Sequence, residues 1–226
     1  MRLGSFRGLT AVLAIIAGLF ALLSLVVGLA GVNYDFDVFS DSSSLIAAGT
    51  AAAGFIRWSY WLNIVGNYLF MLPLALLLYQ WTKPTQPDFA RLFTASGFIY
   101  ILLGAAGSAI LAATWPMLME EYAAGTAVNQ PILVANFQLV TAVAEAGLHG
   151  VVQNLAGAVW FWGMGSLLRP RRGGLGIVAI VIGVFLLLNT LGNLFNIEAL
   201  SLIGLMANIL LGPIWAIWFG VALFKN

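Results

Sequence analysis

Six apolar runs, each long enough to cross a bilayer, constrain this chain more than any motif it contains. The hydrocarbon core is about 30 Å thick, and a helix rising 1.5 Å per residue crosses it in about 20 residues. The runs over residues 8–32, 57–81, 92–115, 148–168, 175–195 and 200–224 all reach that length. With no water at that depth, a spanning segment must satisfy its own backbone amides, which favours the helix. Charged residues make up 8% of the 226-residue chain, against about 25% in soluble domains. The expected fold is therefore an all-α integral membrane protein, one domain over 1–226, with six transmembrane helices in three hairpins. The lipid bilayer is its first partner.

Composition also excludes chemistry. The chain has no cysteine and a single histidine, which rules out thiolate metal sites, disulfides and a histidine-rich metal site. There is no phosphate-binding glycine loop and no G-x-S-x-G nucleophile turn, and nothing names a cofactor. A net charge of +1 offers no basic arm, so no nucleic-acid partner is expected. The first run follows Arg2 and Arg7, as in a signal peptide, but exceeds the usual core of about 7–15 residues. It is expected to be retained as a span.

The connections have distinct characters. Residues 33–44 are acidic, with Asp35, Asp37 and Asp41 in a spacing that lacks the regular oxygens of a calcium loop. Asp41 and the serines after it suit a helix cap, so a short outer helix is expected near Leu45, ahead of the second span. Pro84 and Pro87 break the chain between spans two and three. Residues 116–131 read as a second acidic loop. The next uninterrupted stretch, 132–168, would be about 55 Å long as one helix. A break is therefore expected at Gly147 and Gly150, separating a short outer helix over about 132–146 from the fourth span. Residues 196–199 form a tight turn, and Gly212-Pro213 is expected to kink the sixth span.

Arg2, Arg7, Lys83, Arg91, Arg169, Arg171, Arg172 and Lys225 fall at one end of the predicted bundle, and Arg57 at the other. Basic residues flanking spans set orientation, so both termini are expected in the cytoplasm, in a bacterial inner membrane.

The sparse polar residues inside the spans share one depth. Asn67, Asn154, Asn189 and Asn208 lie about 14–16 residues from the basic ends of their spans, and Asn63, His149, Gln153 and Asn193 come next outward. These layers stand about 21–29 Å from the inner boundary. Glu145 and His149, four apart, share a helix face. Ionisable groups in spans are costly and usually face an interior or a wet cavity. The functional expectation is a ligand-binding pocket lined by Glu145, His149, Gln153, Asn154, Asn63, Asn67, Asn189, Asn193 and Asn208, opening outward and closed below by apolar packing. The competing expectation is that the carboxamides join helices and nothing more, with Glu145 solvated at the surface. Trp160, Phe161 and Trp162 read as lipid-facing filler or as a lipid, quinone or pigment contact.

Gly204, Asn208, Gly212, Ala216 and Gly220 recur every four residues along the sixth span. Such small stripes let helices approach closely, within the protein or with a membrane protein partner. Three function classes follow. They are binding or transport of a small or amphipathic ligand in the pocket, a non-catalytic accessory or assembly subunit of a larger complex, and an enzyme using Glu145 and His149 as acid and base. The enzyme class lacks a recognisable nucleophile or metal.

The segment LHGVVQNLAGAVWFWGMGSLLRPRRGGLGIVAIVIGVFLLLNTL resembles the C-terminal half of an uncharacterised bacterial six-span family, a domain of unknown function. The matching positions are His149, Gly163, Gly165, Arg169, Pro170 and Gly176, mainly over residues 148–190. A second histidine associated with that pattern is replaced here by aromatics. The resemblance implies a six-span fold in a bacterial membrane and no particular activity.

Overall fold

The computed structural model describes residues 5–225; Arg2 lies outside them. The chain is all-α, with α1 (Phe6–Gly31), two short helices α2 (Phe36–Ser40) and α3 (Ser42–Ala47), and five long helical runs. These are α4 (Gly49–Thr82), α5 (Pro87–Ala124), α6 (Gln130–Leu168), α7 (Gly173–Phe195) and α8 (Glu198–Phe224). With α1 they make six helices, among the described residues, long and apolar enough to cross a membrane. Each packs on the next in order, α1 on α4, α4 on α5, and so on to α8, which returns to α1 and closes the ring.

Local chemistry sets several boundaries. Ser5 caps α1 by accepting from the Gly8 amide at 3.1 Å, and Asp35 and Asp41 cap α2 and α3. Gly49, at φ +64°, allows the sharp entry from α3 into α4. Asn196, at φ 55°, ends α7 in the left-handed conformation common at helix C-termini.

Three expectations change. The loop expected at 116–131 is mostly helix, because α5 runs through Pro116 to Ala124. A proline inside a helix loses a hydrogen bond and crowds the preceding turn. Here packing outweighs that cost: Trp115 lies between Tyr60 and Phe137, and Leu118 and Met119 are buried beyond it. The expected separate helix over 132–146 is instead joined to its span without interruption. In place of a break, Ala142–Gln153 winds as a π-helix, whose wider turns take up the two glycines. The second span begins at Gly49 rather than near Arg57, and contains its own π segment, Ile64–Tyr68. The sixth span is helical through Pro213.

Two apolar clusters divide the bundle. One, toward the end bearing Arg7, Lys83 and Arg171, holds Leu74, Leu78, Ile101, Trp160, Phe161, Met164, Trp215 and Phe219. The other, toward the Asp35–Asp41 end, holds Ile46, Ile56, Leu111, Trp115, Met119 and Phe137. Between them, α4 presents Tyr60 to Asn67, α5 presents Gly104 to Ser108, and α6 presents Glu145 to Asn154. The polar layer is the seam between two cores. Trp160 and Phe161, expected among lipid, are buried, whereas Trp162 is exposed.

The small stripe of α8 is spent largely within the chain. A side chain at Gly204 would meet the Asn189 amide nitrogen at 2.5 Å, and one at Gly220 the Ala11 carbonyl at 2.6 Å. Ala216 is buried as well. Gly204 thus brings α8 against α7, and Gly220 brings it against α1. Gly212 is not crowded in this way: a side chain there would meet only Asn208 Oδ1, at an ordinary contact distance of 3.7 Å.

Candidate functional site

The nine expected residues divide into three linked groups. In the first, the Tyr60 hydroxyl donates to Glu145 Oε1 at 2.7 Å. Glu145 Oε2 lies 3.4 Å from His149 Nδ1, and His149 Nε2 lies 3.2 Å from the Gly104 carbonyl. The imidazole side chain is 13% exposed and the carboxylate 37%. Glu145 is therefore neither sealed in nor free in solvent, but held by a tyrosine from α4 and a histidine from its own helix. Room for the ring comes from Gly107, where any side chain would overlap His149 Nε2.

The hydrogen-bond roles follow from chemistry. A carbonyl can only accept, so in this contact His149 Nε2 carries hydrogen. A hydrogen bond between Nδ1 and the carboxyl needs one further proton, on nitrogen or on oxygen, and with that proton the pair carries no net charge.

The second group joins α4, α5 and α6. Asn63 Nδ2 donates to Ser108 Oγ at 3.2 Å, and Gln153 Nε2 donates to the Tyr68 hydroxyl at 3.1 Å. Tyr68 packs against Gly104, on the helix whose carbonyl also receives His149. Gln153 is buried, and its Oε1 has no hydrogen-bond partner. Tyr100 stands next, with Gln153 and Asn208 beside its hydroxyl. Asn67 and Asn208 then face a small cavity of about 10 Å³, walled by Met71, Tyr100, Phe161 and Pro213. That volume suits about one water molecule.

The third group is built on Asn189, whose side-chain oxygen and nitrogen are both paired. Asn154 Nδ2 donates to Asn189 Oδ1 at 2.6 Å, and Asn189 Nδ2 donates to the Ser201 carbonyl at 2.6 Å. Asn193 Nδ2 donates to the Asn189 carbonyl at 2.9 Å and to its Oδ1 at 3.1 Å. Asn154, Asn189 and Asn193 therefore bind α6, α7 and α8 together, as carboxamides between spans commonly do.

Below the second group the bundle is shut by aromatic rings. Tyr68 and Tyr100 are 6.0 Å apart, Tyr100 and Phe161 5.9 Å, Phe161 and Trp215 5.3 Å, and Trp215 and Phe219 5.3 Å.

Sequence reasoning did not single out Tyr68, Tyr100, Ser108 or Gly104 as parts of this site. Gly97, Gly104 and Gly107 were the available signal. They are buried together on α5, and leave space for Trp160, Tyr68 and His149 respectively. Among the described residues no group of three or more metal-ligating side chains occurs. Comparison with family models, curated proteins and solved structures returned no match. Fold and composition thus define the class: a multi-pass helical membrane protein.

Proposed function

We propose that this protein binds, and by opening transports, a small or amphipathic ligand whose polar part reaches the seam between the two apolar clusters. The observation that carries this reading is the π-helical winding. Both π segments, Ile64–Tyr68 and Ala142–Gln153, lie on that seam and carry Asn67, Tyr68, Glu145, His149 and Gln153. A π turn leaves the ordinary helical ladder out of register and recurs at functional sites. The unpartnered Gln153 oxygen supports the same reading, because a buried acceptor inside a span calls for a donor. The arrangement at hand is closed, with space for about one water beside Asn67 and Asn208. Ligand entry requires α4 and α6 to part at their π segments.

In this proposal the membrane is a bacterial cytoplasmic membrane and the end carrying Arg7, Lys83, Arg91, Arg169, Arg171, Arg172 and Lys225 faces the cytoplasm. The accessory-subunit alternative drew on the α8 stripe, which is now largely occupied by α1 and α7. Native mass spectrometry after gentle extraction tests the reading. A retained small molecule that is lost on His149→Ala and on Gln153→Leu is expected. A protein partner retained with no small molecule would replace this proposal with the accessory role. Labelling of cysteines introduced at Ser43 and Thr85 tests orientation, since labelling from the same side would refute it.

A further inference from the structure

A second cavity, of about 350 Å³, lies at the opposite end of the bundle from the acidic loops. Its wall includes Arg7 from the first turn of α1, Trp81 and Thr82 from the end of α4, Leu168 from the end of α6, and Arg171 and Arg172 from the turn that follows. No acid lines it. Among the described residues none of its three arginines pairs with a carboxylate, and Asp88, near the same end, is engaged with Arg91 at 3.3 Å.

Each guanidinium is held by a neighbour that leaves its charge uncancelled. Arg7 Nη2 donates to the Leu223 carbonyl at 3.2 Å, while its Nε is buried with no partner. Arg171 Nη1 donates to the Trp81 carbonyl at 3.1 Å. Arg172 stacks over the Trp81 ring at 5.1 Å. Carbonyls and an aromatic face orient the three groups, but three like charges around one cavity repel unless an anion joins them. Guanidinium forks match phosphate oxygens in geometry and charge. The cavity falls in the size range of small-molecule sites, and basic pockets between spans at the membrane surface suit phosphate headgroups.

We propose that this cavity binds a phosphate group through Arg7, Arg171 and Arg172, supplied either by an anionic lipid headgroup or by free phosphate. The ring of Trp81 and the side chain of Leu168 give the site an apolar wall beside the charges.

Native mass spectrometry of the full chain, extracted and supplied with phosphatidylglycerol or phosphatidylcholine, reads the lipid source. Thermal melting in lipid-free detergent with added inorganic phosphate reads the other. Lipid-derived phosphate predicts preferential phosphatidylglycerol retention, weakened by roughly fivefold per arginine removed in Arg171→Gln/Arg172→Gln. Free phosphate predicts a rise in melting temperature that the same variant lacks. Arg172→Lys, which keeps the charge, should retain part of either effect. Arg91→Gln removes a charge at the same end but outside the cavity, and should change neither. If the double variant fails to fold, Arg171→Gln alone, with its exposed side chain, is read instead. Equal retention of both lipids with no response to phosphate overturns the proposal, as does an equal loss in Arg91→Gln.

Discussion

Replacing Gly107 by alanine should have opposite effects on stability depending on whether His149 is present. A methyl group there would overlap His149 Nε2 and lie 2.7 Å from Cδ2 and 3.1 Å from Cε1. The ring cannot withdraw freely, because Glu145 holds one nitrogen at 3.4 Å and the Gly104 carbonyl the other at 3.2 Å. Displacing it breaks both contacts. The Gly104 contact joins two spans and contributes about 0.6–2 kcal/mol, and the Glu145 contact, within α6, adds about 0.2–0.5 kcal/mol, so Gly107→Ala should cost about 1–3 kcal/mol. In a His149→Ala background the space is empty and the clash is gone. Alanine's advantage over glycine in a helix, about 0.5–1 kcal/mol, should then make the same change neutral or stabilising. Reversible unfolding of the four proteins in mixed micelles gives the coupling directly as a double-mutant cycle. If Gly107→Ala has the same effect in both backgrounds, the imidazole does not occupy the place assigned to it.

Other outcomes follow from the same contacts. Asn189→Ala should cost more than Asn154→Ala, by about 1–2 kcal/mol, because Asn189 alone meets Asn154, Asn193 and the Ser201 carbonyl; chemical denaturation of both variants checks the order. Gly220→Ala forces a methyl onto the Ala11 backbone and should lower stability by about 1–3 kcal/mol, whereas Gly212→Ala meets only an ordinary contact with Asn208 and should change it little; thermal melts of the pair decide. The Asp41 carboxyl is held below its usual range, chiefly by hydrogen bonds from the Ser44 side chain and amide. A depressed folded pKa stabilises above the unfolded value and loses that contribution as pH falls through the folded one. The α3 cap should therefore loosen as pH drops below about 4, with lower amide-exchange protection over Ser42–Ala47 once the intrinsic rate at each pH is divided out, and Asp41→Asn should flatten that dependence.

Six spans were legible in the sequence because membrane thickness and backbone satisfaction act on each segment alone. The pairing of Glu145 with His149 was legible for a similar reason, since four residues along one helix bring two side chains together whatever surrounds them. The continuation of α5 through Pro116 was not, because it depends on Trp115, Leu118 and Met119 finding Tyr60, Ile56 and Phe137 from elsewhere in the chain. Nor did matched depth reveal that the asparagines would separate, with Asn154, Asn189 and Asn193 joined together while Asn67 and Asn208 face the small cavity. Depth follows from counting residues, but a contact also needs the rotation of each helix about its axis. Helices that are apolar on nearly every side carry little hydrophobic asymmetry to set that rotation. Glycines such as Gly104, Gly107, Gly204 and Gly220 settle it by letting neighbours approach, and their partners exist only once the ring of six helices has closed.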